Sequence, residues 1–138
     1  MAALALAPEA RLREAWDGLA AQPQYKVVRG PETGLVMVRA RAGNSGERFN
    51  LGEMTVTRCT VGLGEGIMGH AFIGGLSHEH ARLAAVFDAL LQLPEKGEDL
   101  RRALIGSLQQ ERQTHLAGRR DEVRPSRVDF FTLARGDE

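Results

Sequence analysis

The chain has 138 residues, of which 43% are hydrophobic and 26% charged; this is ordinary globular usage, with length enough for one domain that buries about two-thirds of the surface its unfolded form exposes. Eighteen Lys+Arg balance 18 Asp+Glu, so no global charge draws the chain to nucleic acid or to a membrane, and any polyanion site has to be local. One cysteine, Cys59, excludes an internal disulfide and a CxxC metal or redox motif.

The start, residues 1–7, is apolar and small. No basic residue precedes it and Glu9, Arg11 and Arg13 follow, unlike a secretory leader, so the expected compartment is the cytoplasm. No uncharged apolar run approaches the ~20 residues that span a bilayer. Pro8 can open a helix, and Leu12, Ala15, Trp16 and Leu19 follow at helical spacing, predicting a helix over 8–21 that Pro23 ends. Residues 25–29 read as a short strand, and Gly30-Pro31-Glu32-Thr33-Gly34 as a hairpin turn. Residues 35–42 alternate, with Val36, Val38, Ala40 and Ala42 on one face and Arg39 and Arg41 on the other, as in a half-buried strand. The β-branched residues between 53 and 61 predict a further strand, closed by Gly62-Leu63-Gly64-Glu65-Gly66, and residues 67–73 predict another.

Short glycine-containing links favour an antiparallel meander over a parallel sheet, which needs long crossovers. Ser77 is a candidate N-cap, Glu79 suits a helix N-terminus, and Leu83, Val86, Phe87, Leu90 and Leu91 follow, predicting a helix over 78–93 that covers the sheet. Pro94 and Gly97 close it, and a second helix over 98–120 carries a thin stripe of Leu100, Leu104, Ile105, Leu108 and Leu116, suited to packing on one side only. The expected fold is α+β: an antiparallel three- or four-stranded meander covered by helices, in one domain over 1–138, with an extended C-terminal docking segment.

No catalytic constellation stands out. His70, His78, His80 and Cys59 are zinc-binding residue types, but their spacing forms no ligand motif, and His78 and His80 point about 200° apart on a helix. Gly43-Asn44-Ser45-Gly46-Glu47-Arg48 lacks the ending of a P-loop, and Gly62-Leu63-Gly64-Glu65-Gly66 lacks the third glycine of a dinucleotide fingerprint; both read as turns. The serines carry no GxSxG or SxxK signature. Arg39, Arg41, Arg48 and Arg58 are candidate anion-binding residues if neighbouring strands gather them, with a solvated sheet face as the plain alternative. The tail is denser: Arg127, Val128, Asp129, Phe130 and Phe131 combine aromatic anchors with charges and are candidate partner contacts, or else a late-docking core strand. Pro125 prevents simple continuation of the preceding helix.

Four stretches carry a resemblance when taken in this order and spacing. They are Glu32-Thr33-Gly34-Leu35-Val36-Met37-Val38-Arg39, Gly46-Glu47-Arg48-Phe49-Asn50-Leu51-Gly52-Glu53, Thr55-Val56-Thr57-Arg58-Cys59, and Arg127-Val128-Asp129-Phe130-Phe131-Thr132 with Arg135-Gly136 beyond. Together they span roughly residues 25–138 and resemble the PhnG family of the bacterial phosphonate carbon–phosphorus lyase system; Trp16 after Arg13 resembles the family's first helix. Two departures stand out: a further helical segment usual in the family between positions 21 and 25 is replaced by Gln22-Pro23-Gln24, and Gly74-Gly75-Leu76 stands where a Gly-Arg-Asp is common.

The resemblance implies an accessory subunit of a multi-subunit assembly. By the same resemblance, G-, H-, I- and L-type subunits are together associated with transfer of the ribose triphosphate of ATP to a phosphonate with release of adenine, and a different, iron–sulfur and S-adenosylmethionine-dependent subunit later cleaves the carbon–phosphorus bond. One cysteine could not hold such a cluster. The expectations are H-, I-, J- and L-type partners, ATP as substrate of the complex, no cofactor or metal in this chain, no catalytic residue to carry over, and an inactive isolated chain. A small zinc-dependent enzyme and a stand-alone nucleotide-binding module are the alternatives.

Overall fold

A computed structural model describes residues 1–43 and 45–124. Arg127, Val128, Asp129, Phe130 and Phe131, the expected docking segment, lie outside the described residues.

The element order is helix α1 (Ala2–Leu6), helix α2 (Glu9–Asp17), strands β1 (Lys26–Arg41), β2 (Arg48–Gly62) and β3 (Met68–Gly74), then helices α3 (His78–Leu90), α4 (Pro94–Leu100) and α5 (Gly106–Val123), with a π-helical turn, Arg101–Ile105, between the last two. The strands form one antiparallel sheet in the order β1-β2-β3. This is the expected α+β meander, with three strands.

The hairpin turn expected at residues 30–34 is absent, because β1 runs straight through it. Gly30 and Gly34 do not use a positive φ, and Pro31 sits on an edge strand, where its missing N–H removes no ladder bond. Register shifts between Val27 and Arg29 and between Arg29 and Glu32 absorb the irregularity. The chain turns instead after Arg41, where Gly43 takes φ +63° and a Cβ on Gly46 would fall 2.2 Å from the Ala42 carbonyl oxygen.

One helix anchors the core. Ser77 caps α3 by accepting the His80 N–H at 3.1 Å, as expected, and Leu83, Ala84, Val86 and Phe87 are wholly buried. The sheet covers one side of α3, while α1 and α2 cover another. Small residues let it approach closely: a Cβ on Gly69 of β3 would lie 2.0 Å from the Ala85 carbonyl oxygen and 2.6 Å from the Ala89 nitrogen. Toward this helix the sheet presents Thr57, Cys59, Val61, Ala71 and Ile73, all buried.

The apolar start belongs to this core. Leu4 is fully buried in α1, and His80 donates from Nε2 to the Leu4 carbonyl at 2.9 Å, which fixes the tautomer because a carbonyl only accepts. The second helix is shorter than expected: Pro8 is its N-cap and Gly18 its C-cap, while Trp16 meets Tyr25 edge-on at 5.9 Å. Pro94 starts a helix rather than only closing one, since its missing N–H is harmless at the first helical position. Gly97 lies inside that helix. Beyond it Leu104 and Leu108 are buried, and residues 109–124 are exposed on every side. No helix among the described residues is long and apolar enough to cross a membrane.

Candidate functional site

The long strands outrun their cover. β3 ends with Gly74 opposite Val56, so from that level to Arg41 and Arg48 the β1–β2 pair continues as a two-stranded arm. Alternation along strands sorts its side chains into two faces. The face that continues the helix-covered side carries Leu35 and Met37, then Arg39 and Arg41, opposite Thr55, Glu53, Asn50 and Arg48. The other face carries Val36, Val38 and Ala40, opposite Met54, Gly52 and Phe49.

Both faces are open to solvent. Leu35 is 63%, Met37 51%, Phe49 46% and Met54 47% exposed. The second face continues under β3, where no helix of the described chain packs, and there Phe72 is 56% exposed. Residues expected to give β1 one core face and one wet face therefore have neither face covered along the arm. Monomeric soluble proteins rarely leave such a contiguous apolar surface bare, and a partner is the usual reason for one.

The four arginine candidates separate. Val38 pairs with Gly52 and Arg39 with Asn50, so Leu51 is an unpaired bulge residue that reverses the alternation in β2. Arg48 thus joins Arg39 and Arg41 on one face, while Arg58 lies on the opposite one. Among the described residues none of Arg39, Arg41 and Arg48 forms an ion pair. Arg58 is engaged: its Nε donates to Glu32 Oε1 at 3.0 Å, and Arg29 donates to the same oxygen. Those two hydrogen bonds hold the Glu32 carboxyl below the ordinary carboxylate range. Glu32, Gly34, Val36, Val56, Arg58 and Phe72 line a shallow depression of about 180 Å³ on this uncovered face.

The zinc-type residues do not converge. His80 is committed to Leu4, His78 Nε2 lies 3.2 Å from Thr33 Oγ1, and His70 Nδ1 lies 3.1 Å from Thr60 Oγ1. Cys59 is buried beneath α3, and burial pushes its thiol pKa up, against the opposing charge of Arg82. Among the described residues no three of His, Cys, Asp and Glu are placed to share a metal ion. Neither glycine-rich stretch opens a helix: Gly43 and Gly46 fall between β1 and β2, and Gly64–Gly66 is a single 3₁₀ turn leading into β3.

A second concave region lies between α1 and α5, a cleft of about 650 Å³ lined by Ala2, Leu6, Pro8, Leu108, Arg112 and His115. Arg11 bridges its neighbourhood, donating to Glu111 at 2.7 and 3.3 Å and to Glu14 at 2.7 Å. The sequence gives no sign of this cleft, because the five residues of α1 are too few to show a helical period.

Comparison with known proteins places the chain among phosphonate-metabolism proteins. Over its whole length the chain is 43% identical across 142 aligned positions to alpha-D-ribose 1-methylphosphonate 5-triphosphate synthase subunit PhnG of Rhizobium meliloti (strain 1021), covering 88% of that protein. The family model described as phosphonate metabolism protein PhnG matches residues 1–136, and the chain belongs to that family.

Proposed function

We propose that this chain is the accessory G-type subunit of a ribose 1-methylphosphonate 5-triphosphate synthase within a carbon–phosphorus lyase core complex. It supports transfer of the ribose triphosphate of ATP to a phosphonate, with release of adenine, alongside H-, I-, J- and L-type subunits. The observation that carries this reading is the 43% identity, running through the whole chain, to a named subunit of that synthase. The geometry supports an assembly role, because the surface it offers is an uncovered sheet and arm.

In such a role the chain is inactive alone, and Phe130 and Phe131, with Arg127, Val128 and Asp129, add a second contact with a partner. The test is an omission experiment in which the partner subunits are purified with and without this chain and adenine release from ATP plus methylphosphonate is followed. Activity is expected only when the chain is present. An undiminished rate without it would overturn the proposal, as would adenine release by the isolated chain.

A further inference from the structure

Resting on the synthase-subunit reading, we infer that the β1–β2 arm is clasped in a cleft of a different subunit. One wall of that cleft is apolar and meets Val36, Phe49 and Met54; the other carries carboxylates and meets Arg39, Arg41 and Arg48.

Among the described residues, nothing makes the arm part of this chain's own core. A two-stranded ribbon is marginal in water unless a further layer or strand supports it, and here β3 stops at the level of Val56. Apolar side chains stand out from both faces, Leu35 and Met37 on one and Val36, Phe49 and Met54 on the other. Docking on one flat surface would cover only half of them, whereas insertion into a cleft covers both sets.

Size is consistent with this mode. From Gly34 to Arg41 the arm extends about 24 Å at about 3.4 Å per residue. Two faces of that length, with the adjoining uncovered sheet around Phe72, approach the roughly 800 Å² per partner of a stable interface.

Charge identifies the occupant's chemistry. Arg39, Arg41 and Arg48 share one face with no ion-pair partner among the described residues, and the one carboxylate on that face, Glu53, pairs with none of them. A second copy of this chain laid on the same face would set arginine against arginine, a like-charge juxtaposition that disfavours association. A carboxylate-bearing wall on another subunit satisfies all three, and arginine's planar fork suits such bidentate pairing.

The experiment uses the full chain co-expressed with the other subunits of its synthase, with the isolated chain examined in parallel. Two variants are compared with wild type: V36E combined with M54E, and R39E combined with R41E and R48E. All five positions lie on the uncovered arm, so the isolated variants are expected to melt within about 2 °C of wild type, since surface changes away from core and caps usually matter little. Each variant is expected to reduce co-purification with the partner subunits at least tenfold, and a photo-crosslinking residue at Phe49 is expected to join this chain to a different subunit.

Wild-type recovery of both variants would overturn the clasped arm while leaving the subunit reading intact. A crosslink joining two copies of this chain would overturn it in favour of a homodimer. Failure of the wild-type chain to co-purify with any subunit would instead bring down the subunit reading, and the inference with it.

Discussion

Thr57 shows how one buried polar side chain can set the exit from a sheet. Its hydroxyl donates to the Gly75 carbonyl at 2.7 Å and lies 3.0 Å from Thr33 Oγ1, tying β1, β2 and the β3–α3 link together. Gly75 takes φ +100° there, a conformation that side-chain-bearing residues rarely adopt. Thr57→Val keeps the shape and removes the hydroxyl, so it is expected to lower unfolding free energy by about 1–2 kcal/mol; chemical denaturation measures it, and an unchanged midpoint would show that the hydroxyl is not the tie.

Cys59 gives a pH-dependent prediction. Burial raises its folded pKa, so the folded state holds the proton longer than the unfolded chain does. Its contribution to stability is therefore full below about pH 8.5, the unperturbed thiol value, and is lost as pH rises past that point. The folded chain should resist a thiol-labelling disulfide at pH 8.5 and react promptly once denatured; fast labelling of the native protein would contradict the burial. Glu32 runs in the opposite sense: its folded pKa is lowered, so the small contribution of this exposed cluster is present above the unfolded carboxyl value and fades as pH falls.

At the scale of elements, the contact between β3 and α3 is the most sharply constrained. Any Cβ on Gly69 meets helix backbone at 2.0 Å, and backbone cannot rotate away as a side chain can. Gly69→Ala should cost about 3 kcal/mol, the upper end for overpacking, whereas Gly34→Ala, with nothing within 4 Å, should stay within about 0.5 kcal/mol. Thermal melts of the two variants check the contrast, and equal losses would refute it.

The elements also show what a sequence can and cannot convey. Ser77 and the apolar spacing that follows it define α3 locally, so its start was legible to the residue. The unity of β1 was not: Gly30-Pro31 and Gly34 are ordinary turn signals, and only the edge position of the strand makes them tolerable within it. The alanine-rich start was too short to register as a helix, since its stability comes from burying Leu4 rather than from its own turns. Among the arginines, alternation alone joined Arg39 to Arg41, but even spacing in β2 would have placed Arg48 with Arg58. The unpaired Leu51 reverses that arrangement, and a bulge is a property of the pairing that no local pattern announces.

For the whole molecule, the division of labour is spatial. Helices α1, α2 and α3 enclose a core against the root of the sheet, and beyond that root the arm leaves apolar and cationic faces uncovered. The chain belongs to the PhnG family, and the clasped arm inferred above would have it held between other subunits. Hydrogen–deuterium exchange of the full chain, free and within its co-purified complex, tests this claim most directly. Residues 35–41 and 48–54 should exchange readily in the free chain and become strongly protected in the complex, while the α3 core stays protected in both. Arm amides that exchange at the same rate in the complex as in the free chain would contradict it.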